Sequence, residues 1–374
     1  MDDRVSVDDT LFTPLVRGLP STAPFIGPEA LERASGRKFL LRLGANESVF
    51  GPSPRAAEAM RDAVSQIKWY ADPEAWETRE AIAQYLGIGK EHIGLGAGID
   101  DLLGQIVRLY LEPGSHVAAS LGSYPTFGFH VAGFGGVIER APYANDRNDL
   151  DALAEAARRT HASLVYLANP DNPSGSWLQG DEIARFLSAL PQRCVLLLDE
   201  AYIEFAPREA YSQIDPSDTR VIRFRTFSKA YGMAGARIGY VIAAPETVRA
   251  LDKIRLHFGV NTIAHAGAQA SLADQPYLQS VVAEVARGRM EYVALAHDLG
   301  LRGLPSATNF VAIDVGSADR ARATVAALAN AGVFIRMAGA PPLDRCIRVS
   351  VGAADDRAAF ARIFREIWPS IADS

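Results

Sequence analysis

Between residues 116 and 242 the chain repeats one pattern: a short apolar run, a turn, then a stretch with helical spacing. The runs fall at 116–120, 136–140, 164–167, 195–198, 221–225 and 238–242. Several are continuously apolar, such as Leu164-Val165-Tyr166-Leu167 and Val195-Leu196-Leu197-Leu198. A strand wetted on one face alternates apolar and polar residues, whereas a strand covered on both faces does not. The intervening segments, 149–159 and 181–189 among them, read as helices. Regular strand–helix alternation predicts an α/β layer, a mostly parallel sheet sandwiched by helices.

The last third differs. Residues 251–298 carry helical pattern, followed by strand candidates at 310–315 and 346–351 with a helical stretch, 318–330, between them. This reads as a smaller α+β unit, and the proline-containing first 45 or so residues are expected to pack against it. The expected division is a large domain of residues 47–255 and a small domain of residues 1–46 plus 256–374. A chain of 374 residues, 48% hydrophobic and 22% charged, has material for a large core and is not a disordered chain. The net charge of −6 and the lack of a basic run exclude nucleic acid and anionic membrane as main partners. No apolar run reaches the roughly 20 residues that span a bilayer, and the N-terminus, MDDRVSVDDT, lacks a signal region. Two isolated cysteines, Cys194 and Cys346, make no disulfide framework, so a reducing, cytoplasmic setting is expected. The seven histidines show no metal-type spacing, and no metal is expected.

Parallel α/β sheets gather ligands at the carboxyl ends of their strands. After 195–198 comes Asp199-Glu200-Ala201-Tyr202. A carboxylate at the end of a buried strand needs a cation or donors. A protonated ring nitrogen is one such partner; a helix cap or a buried ion pair is the other reading. After 221–225 comes Thr226-Phe227-Ser228-Lys229, then a glycine-containing turn and Arg237. A lone lysine is usually a solvated charge. Here two hydroxyls and an arginine beside it suit a phosphate anchor, and the lysine suits Schiff-base chemistry. After 164–167 comes Asn169-Pro170-Asp171-Asn172-Pro173-Ser174-Gly175, a rigid non-helical turn. Gly98-Ile99-Asp100 opens a helical pattern, where backbone N–H groups favour an anion, although an ordinary strand–helix turn looks the same. Tyr124-Pro125-Thr126-Phe127 offers an aromatic to stack on a flat ring, or a core residue. Arg336 and Arg348, near late strand-like runs, suit carboxylate or phosphate recognition; a surface salt bridge is the plainer reading for each.

Together these pieces resemble the fold-type-I pyridoxal-phosphate aminotransferases, and most nearly their histidinol-phosphate aminotransferase branch. The matching stretches are Asn46-Glu47 with Gly51-Pro52-Ser53-Pro54, Tyr70-Ala71-Asp72-Pro73, the Asn169–Gly175 and Asp199–Tyr202 motifs, Arg225 through Gly232, Arg237-Ile238-Gly239-Tyr240 and Ile347 through Gly352. The resemblance implies pyridoxal 5'-phosphate as cofactor, joined to Lys229, which then carries a proton to and from the substrate's α-carbon. It implies that Asp199 pairs with the ring nitrogen and that Asn172 and Tyr202 contact the ring oxygen. Gly98, Ile99, Asp100, Thr226, Ser228 and Arg237 form the phosphate cup, and Phe127 covers the ring face. Tyr70 reaches the neighbouring subunit's phosphate, which implies a homodimer. Arg348, assisted by Arg336, grips the anionic end of the substrate. The family's N-terminal tyrosine, which helps bind substrate phosphate, reads Phe25 here. The activity implied is ping-pong transfer of an amino group from an anionic donor, histidinol phosphate or an aromatic amino acid, to a 2-oxo acid. Weaker discrimination for phosphate and appreciable use of aromatic donors are expected from Phe25. A decarboxylase of the threonine-phosphate type and a non-catalytic cofactor-binding regulatory module are the alternatives.

Overall fold

In the computed structural model, residues 11–19 and 26–372 are described. Seven strands form the main sheet: β1 (Ile93–Gly96), β2 (His116–Ser120), β3 (Val137–Ala141), β4 (Leu164–Ala168), β5 (Val195–Asp199), β6 (Val221–Thr226) and β7 (Gly239–Ile242). Their spatial order is β1-β7-β6-β5-β4-β2-β3. Only β7 runs against its neighbours. The expected parallel α/β architecture is therefore present, with one antiparallel strand. The strand β1 was not among the apolar runs because Gly94 and Gly96 interrupt it.

Burial on both faces explains the unbroken apolar runs. Every residue of β4 and β5 is buried. Along them, Leu164, Tyr166, Ala168, Val195 and Leu197 pack into one core, while Val165, Leu167, Leu196 and Leu198 pack into the other. The helices that cover these cores are α1 (Pro54–Ala63), α2 (Trp76–Leu86), α3 (Ile99–Tyr110), α4 (Pro125–Gly133), α5 (Leu150–Thr160) and α6 (Gly180–Ala189). Their starts are written in the sequence. The Asp149 side chain caps α5 by accepting from the Ala152 N–H at 3.0 Å, and Gln179 with Glu182 forms a capping box on α6.

The helical run read at 251–298 is interrupted. A helix at Pro245–Leu251 ends before a non-helical stretch, and α7 (Thr262–Leu272) and α8 (Gln275–Asp298) follow. Helix α7 starts under an Asn261 side-chain cap, and α8 under Asp274. It is α7 that packs on α1 and α2. Beyond it lies a second, four-stranded antiparallel sheet of β8 (Arg302–Gly303), β9 (Phe310–Asp314), β10 (Arg336–Met337) and β11 (Cys346–Ser350), in the order β8-β9-β11-β10. Helices α8 and α9 (Ala318–Asn330) pack on it, and α10 (Ala354–Ala372) packs on those two helices. Residues 41–42 pair in parallel with 333–334, which ties the N-terminal segment to this unit. Cys194 and Cys346 are both buried free thiols. Among the described residues no helix is long and apolar enough to cross a membrane, and no metal-type cluster of side chains occurs.

Candidate active site

A cavity of about 330 Å³ opens at the carboxyl ends of β4, β5 and β6. It brings together Ile99, Asp100, Asn172, Asp199, Tyr202, Thr226, Ser228, Lys229 and Arg237, nine residues singled out from the sequence.

Asp199 ends β5 and is buried. Its Oδ2 accepts from the Tyr166 hydroxyl at 2.6 Å, and its Oδ1 accepts from the Ala201 N–H at 3.0 Å. Among the described residues no cation lies within ion-pair distance of it. Burial pushes its carboxyl up to about 6, against the pull of the Tyr166 and Ala201 donors. The next residue, Glu200, points the other way and pairs with Arg225 at 2.8 Å and Arg223 at 3.1 Å. Burial opposes its charge, but the two guanidinium groups outweigh it and hold Glu200 below the usual carboxylate range. Two adjacent acids thus divide: one has its cations, and the other faces the cavity without one.

Lys229 sits on the turn after β6. That turn is fixed by the Ser228 N–H donating to Thr226 Oγ1 (3.0 Å) and the Met233 N–H donating to the Phe227 carbonyl (2.9 Å). Gly232 closes it at φ +68°, where a Cβ would lie 2.1 Å from the Gly51 carbonyl oxygen. The lysine Nζ donates to the Asn46 carbonyl at 3.1 Å and has no carboxylate within ion-pair distance among the described residues. Asn46, at φ 55°, also donates its side-chain amide to the Tyr202 hydroxyl at 2.9 Å.

Asn172 is held by the loop around it. The Asn169 side chain bonds Leu178 and Ala210, and the buried Asp171 accepts from Tyr143, Asn148 and Ser174. Asn172 Oδ1 accepts from Arg348. Arg348 also donates to the Gly44 carbonyl at 3.4 Å, and its guanidinium lies 5.2 Å from the Phe310 ring. It has no carboxylate within ion-pair distance among the described residues, and its Nε lacks a hydrogen-bond partner. Arg336 faces it directly, since the two are paired across β10 and β11. Burial, with Arg336 nearby, holds the Arg348 guanidinium below its ordinary range. Arg336 donates to the Ile26 carbonyl at 2.9 Å. Like charges directly opposite on a sheet destabilise each other unless an anion joins them.

At the other end, α3 starts at Gly98 (φ 91°) with no side-chain cap, so its first N–H groups face the cavity mouth. A Cβ on Gly98 would lie 2.6 Å from Arg237 Nη2. Thr226, Ser228 and Arg237 complete this corner.

Three expected positions lie elsewhere. Phe127 does not cover the cavity: it is fully buried and stacks on Tyr166 at 5.1 Å, because it is the third residue of α4 and turns inward. From this segment it is Tyr124 that lines the cavity; it precedes Pro125 and donates its hydroxyl to Asp100 at 2.9 Å. Tyr70 is 82% exposed and stacks on Phe258, away from its own cavity. Phe25 lies outside the described residues. Asn46, Glu47 and Tyr166 are site residues that the sequence reading gave no site role. For the first two the signal was their place in the Asn46-Glu47 stretch; Tyr166 carried none, being one apolar residue of a buried strand.

Residues 38–367 match the family model described as "Aminotransferase class I and II". A histidinol-phosphate aminotransferase of Sinorhizobium meliloti, solved in complex with pyridoxal-5'-phosphate, is 51% identical and superposes with a TM-score of 0.93, covering 97% of this chain and 99% of that one. Histidinol-phosphate aminotransferase of Moorella thermoacetica is 32% identical over 91% of this chain and 88% of its own. Histidinol-phosphate aminotransferase 1 of Nitrosococcus oceani is 33% identical over 94% and 95%.

Proposed function

Since this chain belongs to the class I and II aminotransferases and is a pyridoxal-phosphate-dependent enzyme of that family, we propose that its amino donor is histidinol phosphate and its acceptor a 2-oxo acid. The residues fit the cofactor. A buried carboxylate without a cation, a lysine amine without a carboxylate, and a helix start with two hydroxyls and an arginine meet in one cavity. When bound, the cofactor supplies an electron-withdrawing ring and an aldehyde carbon.

Asp199 holds the ring nitrogen in its protonated form. Tyr202 and Asn172 orient the ring through its oxygen; the Tyr202 hydroxyl already accepts from Asn46 and so has its proton free to donate. The N–H groups of Ile99 and Asp100, with Gly98 leaving room, receive the phosphate together with Thr226, Ser228 and Arg237. Tyr124, which lines the cavity where Phe127 does not, would back the ring. Lys229 Nζ takes the proton from the donor's α-carbon and returns it. Arg348, with Arg336 beside it, binds the donor's anionic end, and Asn172 links that guanidinium to the ring. The loss of bulk water around Arg348 strengthens this contact.

The observation that carries the donor assignment is Arg348: a cation bonded to the cavity residue Asn172, facing a second arginine, with no carboxylate within ion-pair distance among the described residues. The relatives' names support histidinol phosphate in particular. An aromatic amino acid is the second reading, supported by Phe25 where the family has a phosphate-binding tyrosine. A panel of amino donors, followed by the loss of the cofactor's absorbance in single turnovers, tests both. Histidinol phosphate reacting fastest supports the proposal; an aromatic amino acid outrunning it contradicts the proposal and supports the second reading.

The dimer belongs to the same proposal. Tyr70, Phe258, Leu256, Trp69 and Ile67 expose an apolar surface, and its burial against a second copy would take Tyr70 to the neighbour's phosphate corner. The division into a cofactor-binding body of residues 47–255 and a smaller unit of 1–46 with 256–374, and a cytoplasmic setting for two buried thiols, are proposed with it.

A further inference from the structure

We propose that Tyr166 is a positioning residue for the reaction: its hydroxyl fixes the Asp199 carboxylate and sets how firmly that carboxylate keeps a proton on the cofactor's ring nitrogen. The inference rests on the assignment of Asp199 above and adds a group behind it.

Tyr166 is the middle residue of β4, and Asp199 is the last residue of the neighbouring β5. The parallel register pairs Tyr166 with Leu197 and Ala168 with Asp199, so the tyrosine side chain reaches along the strand to the carboxylate. The contact is 2.6 Å, within the range of strong O–H to carboxylate bonds. Tyr166 is 1% exposed, and its ring is clamped by Phe127 at 5.1 Å with 17° between the planes. The hydroxyl therefore has little freedom to leave Asp199. Phe127, misplaced by the sequence reading as the ring cover, acquires a use here as the backing of this tyrosine.

Asp199 Oδ1 takes the Ala201 N–H and Oδ2 takes Tyr166, which leaves each oxygen one further lone pair for the cavity. Its other charged neighbours are Lys229 from the turn after β6 and Asp100 from the start of α3, whose carboxylate accepts from the Tyr124 hydroxyl. Lys229 favours the ionised carboxylate and Asp100 disfavours it. Tyr166 is the only side chain among the described residues that donates a hydrogen bond to it. A donor on a buried carboxylate stabilises the anion and lowers its basicity. Without the hydroxyl, Asp199 takes up a proton at higher pH, and the proton shared with the ring nitrogen moves toward the carboxylate. The ring then withdraws electrons less strongly.

The test is a titration of cofactor-free protein with pyridoxal 5'-phosphate between pH 5.5 and 8.5, for wild type, Tyr166→Phe, Asp199→Asn and the double variant. Tyr166→Phe removes one atom and keeps the ring stack. The expected result is an affinity about tenfold weaker near pH 6, with the acid limb of the affinity profile moved to higher pH. In the Asp199→Asn background the same change is expected to alter affinity less than twofold, because the group it acts through is gone. A 3-fluorotyrosine placed at 166 keeps the fold, makes the hydroxyl a stronger donor, and is expected to move the limb to lower pH. A Tyr166→Phe profile that coincides with wild type, or an equal loss in both backgrounds, overturns the role of Tyr166 while leaving Asp199 in place. An Asp199→Asn protein that binds cofactor like wild type overturns the reading of Asp199, and this inference with it.

Discussion

Replacing Arg348 by Met separates a substrate-binding cation from a structural one. In the free protein the guanidinium is half-buried, faces Arg336 across β10 and β11, and has no carboxylate within ion-pair distance among the described residues. Withdrawing such a charge from water costs several kcal/mol. The hydrogen bonds to Asn172 and the Gly44 carbonyl return about 1–3 kcal/mol. The balance is near zero or unfavourable, so Arg348→Met is expected to leave unfolding stability within about 1 kcal/mol of wild type, or to raise it. Binding of an anionic donor reverses the sign. Removing one partner of a desolvated, bidentate ion pair costs about 3–5 kcal/mol, or roughly 10²- to 10⁴-fold in kcat/KM at 1.36 kcal/mol per tenfold. Arg348→Lys keeps the charge and loses the fork, and is expected to fall between. Chemical denaturation of the cofactor-free protein and single-turnover kinetics of the donor half-reaction measure the two quantities. A variant that loses several kcal/mol of stability while keeping wild-type kcat/KM would mean that Arg348 serves the fold, and the donor assignment would fail.

Three further outcomes are expected. Because Asp199 in the cofactor-free fold titrates near 6 rather than 3.8, the folded state binds more protons between those values. This group therefore destabilises the fold progressively as pH rises from about 4 to about 6, by about 3 kcal/mol in all. Cofactor-free Asp199→Asn is thus expected to be the more stable protein at pH 7.5, with the gap closing by pH 4; thermal melts that run parallel across this window contradict it. Glu200→Ala leaves Arg225 buried without its carboxylate and is expected to cost about 3–5 kcal/mol, read as a shifted denaturation midpoint; an unchanged midpoint means the pair is dispensable. Phe258→Glu places a charge in the exposed apolar surface around Tyr70 and is expected to give a monomer in sedimentation, with cofactor bound at least tenfold more weakly. A variant that stays dimeric places the interface elsewhere.

The parts of the fold that were legible are those where burial leaves a one-dimensional trace. Strands β4 and β5 are buried on both faces, and continuous apolar runs record that. The strand β1 was lost because its two glycines leave only Ile93 and Leu95 as apolar residues, too few for a pattern. The run at 251–298 looked continuous because apolar spacing persists through Leu256 and Phe258, which are exposed. Their exposure places them outside the core, and periodicity does not distinguish an exposed apolar residue from a buried one. The motif residues that follow the strand ends gather at one cavity, since strand ends fix their direction. Phe127 and Tyr124 exchanged places because Pro125 starts a helix, which turns the residue before it outward and the third residue inward. Tyr166 was invisible for a different reason: its hydroxyl meets Asp199 from an adjacent strand, and register between strands is not written in either one alone.

Covalent capture at Lys229 tests the account most directly. Protein purified with pyridoxal 5'-phosphate, reduced with borohydride and digested, is expected to carry the reduced cofactor on the peptide containing Lys229, with the absorbance of the bound cofactor lost in step. Modification confined to another lysine, or a Lys229 peptide of unaltered mass, would contradict the assignment of that amine and the chemistry derived from it.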